Sequence, residues 1–248
     1  MWRVPVARVA RVTPRMARIT VAGPELADFD GAGTDQNVML YFYPPDAMLP
    51  EPLTLESARA QWSHQRPLTR TYTVARHDPV AHEIDFDVVL HGDAGPASAW
   101  ASRVAVGDPV IFVGPSPAYV PDPDAESYLL AGDETALPAI ASILRVLRPG
   151  VPVRVFVEVA DSTEEQPLPT EADAEVTWVH RDGAEAGRSD VLERAVRAAS
   201  LPTGRVEVWL AGERAAMVAI RAFLLDERGF ARSAVRPTTY WRHGETGN

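Results

Sequence analysis

The sequence predicts a protein of two domains, in which an antiparallel β-barrel precedes an α/β domain with a mainly parallel sheet. The first half contains six short segments rich in β-branched and aromatic residues, bounded by Pro, Gly or Asp. After the stiff acidic spacer Pro121-Asp122-Pro123-Asp124, strand-like and helical segments alternate, as a sheet covered by helices requires. With 248 residues and 46% hydrophobic content, the chain can bury a core in each domain. We place the boundary at the spacer, which gives domains 1–122 and 123–248.

The barrel is predicted strand by strand. The six segments cover residues 6–13, 16–21, 37–43, 69–76, 83–90 and 109–113. Six short strands of this kind are typical of a small closed Greek-key barrel. Residues 44–67, between the third and fourth strands, are polar and contain prolines, which predicts a long loop with room for a short helix.

The second domain is predicted from its alternation of patterns. Strands are expected at 128–131, 151–159, 175–180 and 206–211, and helices at 134–147, 189–199 and 215–228. Ser189-Asp190 is a helix-start signal, and Gly229 is a helix-stop signal. Residues 161–173 are acidic and carry two prolines, which predicts an exposed excursion.

Composition excludes several classes of function. The sequence has no cysteine, so disulfides, thiolate catalysis, iron–sulfur clusters and cysteine-ligated zinc are excluded, and redox chemistry would need an organic cofactor. A net charge of −10 argues against nucleic-acid and anionic-membrane surfaces. No apolar run reaches the roughly 20 residues of a membrane span, and the N-terminus lacks a signal-peptide centre, so we expect a cytoplasmic protein without membrane insertion. The metalloprotease and hydrolase motifs are missing as well, and no metal site is expected.

Two segments of the first half carry the chemistry of a flavin dinucleotide site. Arg70, Tyr72 and Thr73 place a cation, an aromatic face and a hydroxyl on one strand, although such a strand can also be purely structural. The segment His91-Gly92-Asp93-Ala94-Gly95-Pro96-Ala97-Ser98-Ala99-Trp100 contains a helix start, whose free amides can bind phosphate. His91 is a candidate for a flavin or adenine hydrogen bond, or a histidine that only ends a strand.

The second half contains two tight turns that follow apolar strands. Gly132-Asp133-Glu134-Thr135-Ala136-Leu137-Pro138 opens a helix but departs from the Gly-x-Gly-x-x-Gly fingerprint, and Ala211-Gly212-Glu213 repeats the pattern later. Each can also be an ordinary β–α turn. Glu158 ends a strand where a carboxylate could meet an adenosine ribose, which would favour NADH, or it could simply solvate the strand end.

By these segments and the ending Tyr240-Trp241-Arg242-His243-Gly244, the chain resembles the siderophore-interacting protein family of FAD-dependent ferric-siderophore reductases, itself similar to ferredoxin-NADP reductases. The resemblance covers nearly the whole chain. It implies that the barrel binds FAD, that the second domain binds NADH or NADPH, and that Thr73 and Thr135 lie near the reacting atoms. It also implies an aromatic side chain over the flavin, for which the candidates are Tyr240 and Trp241. The complete set of cofactor-binding candidates is Arg70, Tyr72, Thr73, His91, Gly95, Pro96, Ala97, Ser98, Trp100, Asp133, Thr135, Gly212, Glu213, Tyr240 and Trp241.

The chain departs from the family at three positions where a basic residue would bind an anionic substrate. Met39 stands where a lysine is common, Ala75 where an arginine is common, and Ser116 in place of the arginine of a Gly-Pro-Arg-Gly turn. The remaining substrate-binding candidates are Arg76 and Arg242. Because adjacent strand residues face opposite sides, Arg76 can replace an arginine at position 75 only if the strand bulges.

Three functions are compatible with these patterns. The first is a ferric-siderophore reductase that uses NADH, NADPH or ferredoxin as donor and acts on a weakly charged complex such as a ferric hydroxamate. The second is an FAD-binding relative recruited to another task, such as a biosynthetic step. The third is a binding module without turnover. For each, we expect a monomer or weak dimer.

Overall fold

A computed structural model describes residues 1–31, 33–91 and 95–245. The described chain forms two compact units, Met1–Tyr119 and Val120–Glu245. In the part of the chain that the model covers, no helix has the length and apolar character needed to cross a bilayer.

The first unit is a closed antiparallel barrel with the strand order β1-β2-β5-β4-β3-β6. Its strands are β1 (Trp2–Thr13), β2 (Met16–Ala22), β3 (Asn37–Phe42), β4 (Leu68–Asp78), β5 (Glu83–Val89) and β6 (Pro109–Val113). Alternate residues of these strands fill the barrel, among them Val4, Ile19, Leu40, Phe86 and Phe112. The predicted six-stranded barrel is therefore confirmed.

The described connections of the barrel contain two short α-helices and the 3-10 helix Pro24–Asp28. Between β3 and β4 lies α1 (Leu55–Ala60), which begins with a capping box between Thr54 and Ser57. This helix lies in the predicted loop of residues 44–67, for which the sequence allowed a short helix. Between β5 and β6 lies α2 (Pro96–Ala101), whose first turn starts after Gly95 with a proline, as predicted for a helix start.

The second unit is a five-stranded, entirely parallel sheet with the order β11-β10-β7-β8-β9. Its strands are β7 (Ser127–Asp133), β8 (Pro152–Val159), β9 (Asp173–His180), β10 (Val206–Glu213) and β11 (Val235–Trp241), and its helices are α3 (Leu137–Val146), α4 (Val191–Ala198) and α5 (Arg214–Ala222). The chain runs from β7 outward to β9 and then returns to β10 on the other side of β7. The strand order thus reverses between β7 and β10, and ligands of such sheets bind at the carboxyl ends of strands at this point.

Helix ends differ from the prediction in detail. The helix expected from residue 134 begins with a 3-10 turn, Glu134–Ala136, and becomes α-helical at Leu137. The helix expected from residue 189 begins at Val191, whose N–H donates to the Ser189 hydroxyl over 3.2 Å, while the Asp190 carboxylate makes no cap bond. After α5 the chain continues as a π-helical turn, Phe223–Glu227, and Gly229 with its positive φ of 72° ends it as predicted.

Candidate functional site

The flavin candidates Arg70 and Tyr72 lie on one face of β4. Regular pairing with β3 places Arg70 opposite Leu40 and Tyr72 opposite Val38, both of which face the barrel core. Tyr72 packs against that core, and burial raises the pKa of its phenol, against the opposing effect of the Arg70 charge. The Arg70 guanidinium donates to the Thr69 carbonyl over 2.6 Å. A cation and an aromatic ring therefore stand two residues apart on the same side of one strand.

Thr73 occupies the opposite face of β4. It pairs with Asn37 in the regular part of the ladder, and only 7% of its surface is exposed. Side chains alternate along a strand, so the Thr73 hydroxyl does not share a face with the Tyr72 ring.

The second flavin motif folds around α2. Residues 92–94 lie outside the described residues. The His91 N–H donates to the Ser98 hydroxyl over 3.0 Å, and a Cβ added to Gly95 would lie 3.3 Å from the His91 ring. Trp100 packs edge-on against Phe42, with ring centroids 5.5 Å apart. The structure thus brings His91, Gly95 and Ser98 together, and Pro96 and Ala97 form the first turn of α2 beside them.

Arg76 forms ion pairs with carboxylates of the barrel wall. Its guanidinium contacts Asp85 at 2.7 Å, Glu83 at 2.5 Å and Asp78 at 3.3 Å. The strand does bulge here: Val74 pairs with Phe86 and Arg76 with Asp85, so that Ala75 is the extra residue and only 6% exposed. Ala75 is therefore a buried residue of the barrel wall.

Met39 and Ser116, the other two departures, differ in exposure. The Met39 side chain is 42% exposed on β3. The Ser116 hydroxyl is half-buried and accepts a hydrogen bond from the Asn37 N–H at 2.9 Å. Only Met39 of the three lies openly at the surface.

In the second unit, Asp133 is the centre of a buried hydrogen-bond network at the carboxyl end of β7. Its Oδ1 accepts bonds from the Thr135 N–H at 2.9 Å and the Thr135 hydroxyl at 2.5 Å. Its Oδ2 accepts bonds from the Glu213 N–H at 2.9 Å and the Trp241 indole N–H at 2.8 Å. Burial raises the pKa of Asp133 to about 6, although these hydrogen bonds oppose the shift. Asp133 thus joins β7, β10 and β11 where the strand order reverses.

Gly212 and Glu213 form the matching turn at the end of β10. Gly212 has a φ of +148°, and a Cβ there would lie 2.6 Å from Asp133 Oδ2, so the close approach requires glycine. The Glu213 carboxylate caps α5 by accepting the Ala215 N–H at 2.5 Å, and its other oxygen accepts the His243 N–H at 3.2 Å. Both acidic candidates therefore hold the turns in place.

The C-terminal candidates lie at the end of β11. Trp241 is half-buried and held by Asp133, and Tyr240 packs edge-on against Trp209 with ring centroids 6.4 Å apart. Arg242 forms an exposed ion pair with Glu245. Trp241 is thus fixed by a hydrogen bond and Tyr240 by packing, whereas the Arg242 pair is open to solvent and screening.

A buried arginine beside this network, Arg181, is not among the candidates that the sequence suggests. Arg181 follows β9 and contacts Glu134 at 2.6 Å and Glu158 at 3.2 Å, with 4% of its side chain exposed. Glu158 was considered as a ribose ligand, but it lies against this guanidinium. The signal available in the sequence was the position of Arg181 directly after the strand-like segment 175–180, which follows the segment that contains Glu158.

Glu158 gives a test by pH. Burial raises the pKa of its carboxyl from 4.5 to about 7, against the opposing charge of Arg181. The native state then binds the proton more tightly than the unfolded state, so the contribution of Glu158 to stability is lost as pH rises from about 4.5 to about 7. Because glutamine does not titrate, the melting temperature of Glu158→Gln relative to the parent should increase across this window. A difference in melting temperature between Glu158→Gln and the parent that stays constant from pH 4.5 to 8 would contradict the raised pKa of Glu158.

The two residue sets fit different parts of a flavin and nicotinamide system. The barrel set offers a cation, an aromatic ring and a helix start, which match a ring and a pyrophosphate. The sheet set offers glycine turns at a strand-order reversal, which lets a ligand approach the backbone. Among the described residues, no group of His, Cys, Asp and Glu could hold a metal ion.

Comparison with known proteins covers both units. Residues 5–119 match the family model of the siderophore-interacting FAD-binding domain, and residues 125–244 match the model named siderophore-interacting protein. An uncharacterised protein of Mycobacterium tuberculosis is 38% identical over 97% of this chain and 90% of its own length. The ferric vibriobactin reductase ViuB of Vibrio cholerae is 27% identical over 94% of this chain and 86% of its own. A solved siderophore utilization protein from T. fusca superposes with a TM-score of 0.84 at 36% identity and covers 100% of this chain and 94% of its own.

Proposed function

Because the chain belongs to the siderophore-interacting protein family, we propose that it is a reductase that passes electrons from NADH or NADPH through FAD to the iron of a ferric siderophore. The observation that carries the proposal is the shared face of Arg70 and Tyr72 on β4, inside the segment that matches the FAD-binding model. The relative ViuB, named as a ferric vibriobactin reductase, supports the same reaction class.

In the barrel, we assign contacts with the flavin dinucleotide to β4 and α2. Arg70 would hold the pyrophosphate by charge-assisted hydrogen bonds, and Tyr72 would cover the ring. The first turn of α2, from Gly95 to Ser98, would add backbone donors. When bound, FAD accepts a hydride and releases single electrons, which is the chemistry that reduction of ferric iron requires.

In the second unit, the roles divide between contact and positioning. The backbone of the Gly132 and Gly212 turns would face the nicotinamide nucleotide at the strand-order reversal. Asp133 and Glu213 would act as positioning residues, because their oxygens accept bonds from the protein itself. Thr135 donates its hydroxyl hydrogen to Asp133, which fixes the orientation of its oxygen.

The test is an anaerobic spectral titration of the purified protein. We expect one FAD to bind, NADH or NADPH to bleach it with a primary isotope effect from deuterium at C4, and a ferric hydroxamate to restore the colour while a ferrous chelator traps the product. A protein without FAD affinity would overturn the proposal. If neither nucleotide reduces bound flavin but reduced ferredoxin does, the donor assignment is wrong. Rapid flavin reduction with failure on every ferric complex would favour the recruited relative.

That second function is favoured by the absence of cations at the three departures. Ala75 is buried, the Ser116 hydroxyl is engaged and Arg76 is bound by carboxylates, so the described barrel offers little positive charge at these positions. A tris-catecholate complex is strongly anionic and would be attracted weakly by a protein of net charge −10. For the reductase, the same charges favour a neutral ferric hydroxamate as substrate.

Met39→Lys adds a cation at the exposed departure on β3. The new cation should raise the rate with a ferric tris-catecholate several-fold, chiefly through association, and the gain should shrink with salt as screening shortens to about 8–10 Å. Val9→Lys is the matched control, because Val9 is an apolar residue on β1 with 39% exposure. The measurement is the second-order rate at low and high ionic strength. An equal gain from Val9→Lys would show a general charge effect and no local one.

A further inference from the structure

A cavity of about 400 Å³ lies on the outer side of the barrel, within the first unit. It is lined by Met39 of β3, Leu68 and Thr69 of β4, and Trp62, Arg66 and Pro67 from the segment that joins those strands. Met39 is 42% exposed and Leu68 is 52% exposed, so two large apolar side chains border open space. A cavity of about 150 Å³ is enough for benzene when its walls are apolar, so this one has room for a ring and its substituents.

The wall of the cavity belongs to a cluster of aromatic rings. Tyr41 lies 6.1 Å from Trp62 and 6.4 Å from Tyr43, measured between ring centroids. The Trp62 indole nitrogen and the Tyr43 hydroxyl are buried, and neither has a hydrogen-bond partner in the described part of the chain. The Trp62 ring, which lines the cavity, is therefore part of a larger aromatic cluster.

Two arginines of the same segment border this cluster. The Arg59 guanidinium lies over the Trp62 ring at 5.6 Å from its centroid, where it holds the ring by a cation–π contact. Arg66 lines the cavity and is exposed, and among the described residues its guanidinium has no carboxylate partner. The cavity thus combines an apolar aromatic wall with one cation at its edge.

We propose that this cavity binds an aryl ring carried by a ferric hydroxamate chelate, with the ring against Trp62 and Leu68 and the chelate oxygens toward Arg66. The proposal rests on the proposed function and adds the class of its substrate. A flat ring matches the aromatic wall, where stacked and edge contacts add to apolar burial. Hydroxamate oxygens can accept hydrogen bonds from the Arg66 guanidinium. A single cation suits a neutral chelate better than a highly anionic one.

The experiment compares two neutral chelates that differ in the ring. Gallium(III) tris-benzohydroxamate and gallium(III) tris-acetohydroxamate are titrated by calorimetry into the FAD-loaded protein, with free hydroxamate in excess so that each complex persists. Gallium(III) is not reduced by the flavin, so binding is read without turnover. We expect the aryl complex to bind about tenfold more tightly, from the additional apolar area that the ring buries.

Three variants locate the preference. Leu68→Ala removes an exposed side chain of the cavity without touching the core, and Trp62→Phe reduces the aromatic wall from a fused pair of rings to one ring; both should reduce the preference for the aryl complex severalfold. Val80→Ala is the matched control, because Val80 is 93% exposed in the turn between β4 and β5. Equal affinity for the two complexes in the parent protein, or a preference that is unchanged in both cavity variants, would overturn the proposal.

The same pair of ligands with iron separates this proposal from the proposed function. An aryl preference in gallium binding, without reduction of either ferric complex, would support the cavity and overturn the reductase. Reduction of both ferric complexes without any aryl preference would support the reductase and overturn the cavity.

Discussion

Asp133→Asn will lower the free energy of unfolding of the second unit by about 2–4 kcal/mol, because asparagine offers one acceptor oxygen in place of two, and each buried donor left unpaired costs about 1–3 kcal/mol. In the parent, Asp133 accepts four hydrogen bonds, from the Thr135 backbone and hydroxyl, the Glu213 N–H and the Trp241 indole. The new amide group would also point its own hydrogens at donors. Loss of the buried charge recovers part of this cost, since burial raises the pKa of Asp133.

Asp161→Asn is a matched control for this experiment. Asp161 caps the 3-10 turn Ser162–Glu164 by accepting bonds from the Thr163 N–H at 2.9 Å and the Thr163 hydroxyl at 2.5 Å, as Asp133 does for Thr135. It is half-buried, so water can replace a lost partner, and its substitution should cost less than about 1 kcal/mol. Chemical denaturation of both variants at pH 7 gives the comparison. Equal losses would mean that the Glu213 and Trp241 bonds do not stabilise the unit.

Arg70→Ala will weaken FAD binding by about 10- to 100-fold, since a hydrogen bond to a charged group is worth about 1.5–3 kcal/mol. The guanidinium shares a face of β4 with Tyr72, and removal of the charge leaves the aromatic contact in place. The measurement is titration of the apoprotein with FAD, followed by the change in flavin fluorescence. The FAD affinity of Arg70→Lys should fall between those of the parent and Arg70→Ala, because lysine keeps the charge but lacks the planar guanidinium.

Arg3→Ala controls for the general loss of an arginine. Arg3 is an exposed residue of β1 in the same barrel. Its replacement should leave FAD affinity within about twofold, because exposed charges act weakly over distance in salt. Unchanged affinity in Arg70→Ala, with an intact barrel, would place the phosphate site elsewhere.

Regular elements of this fold were predictable because their signals are local. The alternation of acidic and apolar residues that predicts β5 and the apolar run that predicts β10 can be read without knowledge of their partners. The β4 bulge was not predictable, because it depends on how β4 meets β5. The 3-10 start of the helix after β7 was missed as well, since the Asp133 cap competes with an α-helical first turn at that position.

The residues of the candidate site were predictable from the sequence, but the hydrogen bonds and ion pairs between them were not. The sequence suggests Asp133, Glu213 and Trp241 as separate cofactor ligands. In the structure, Glu213 and Trp241 both donate hydrogen bonds to Asp133. Such contacts span eighty or more positions of the chain, and no spacing rule encodes them. Arg181 was missed for a similar reason, because its two carboxylate partners come from the turn after β7 and from β8. Which of the selected residues touch FAD or the nucleotide stays a prediction.

The extra residue in β4 has a consequence for sequence alignment. Val74 pairs with Phe86 on β5, and the next pair joins Arg76 to Asp85. From Arg76 onward, β4 therefore has one residue more than the number of its pairs with β5. The rung opposite Asp85 is held by Arg76, although a count from Tyr72 would assign it to Ala75. A comparison by residue count therefore sets Ala75, and a comparison by ladder position sets Arg76, against the same position of a regular strand. Charges at this point should be compared between chains by their ladder partners as well as by residue count.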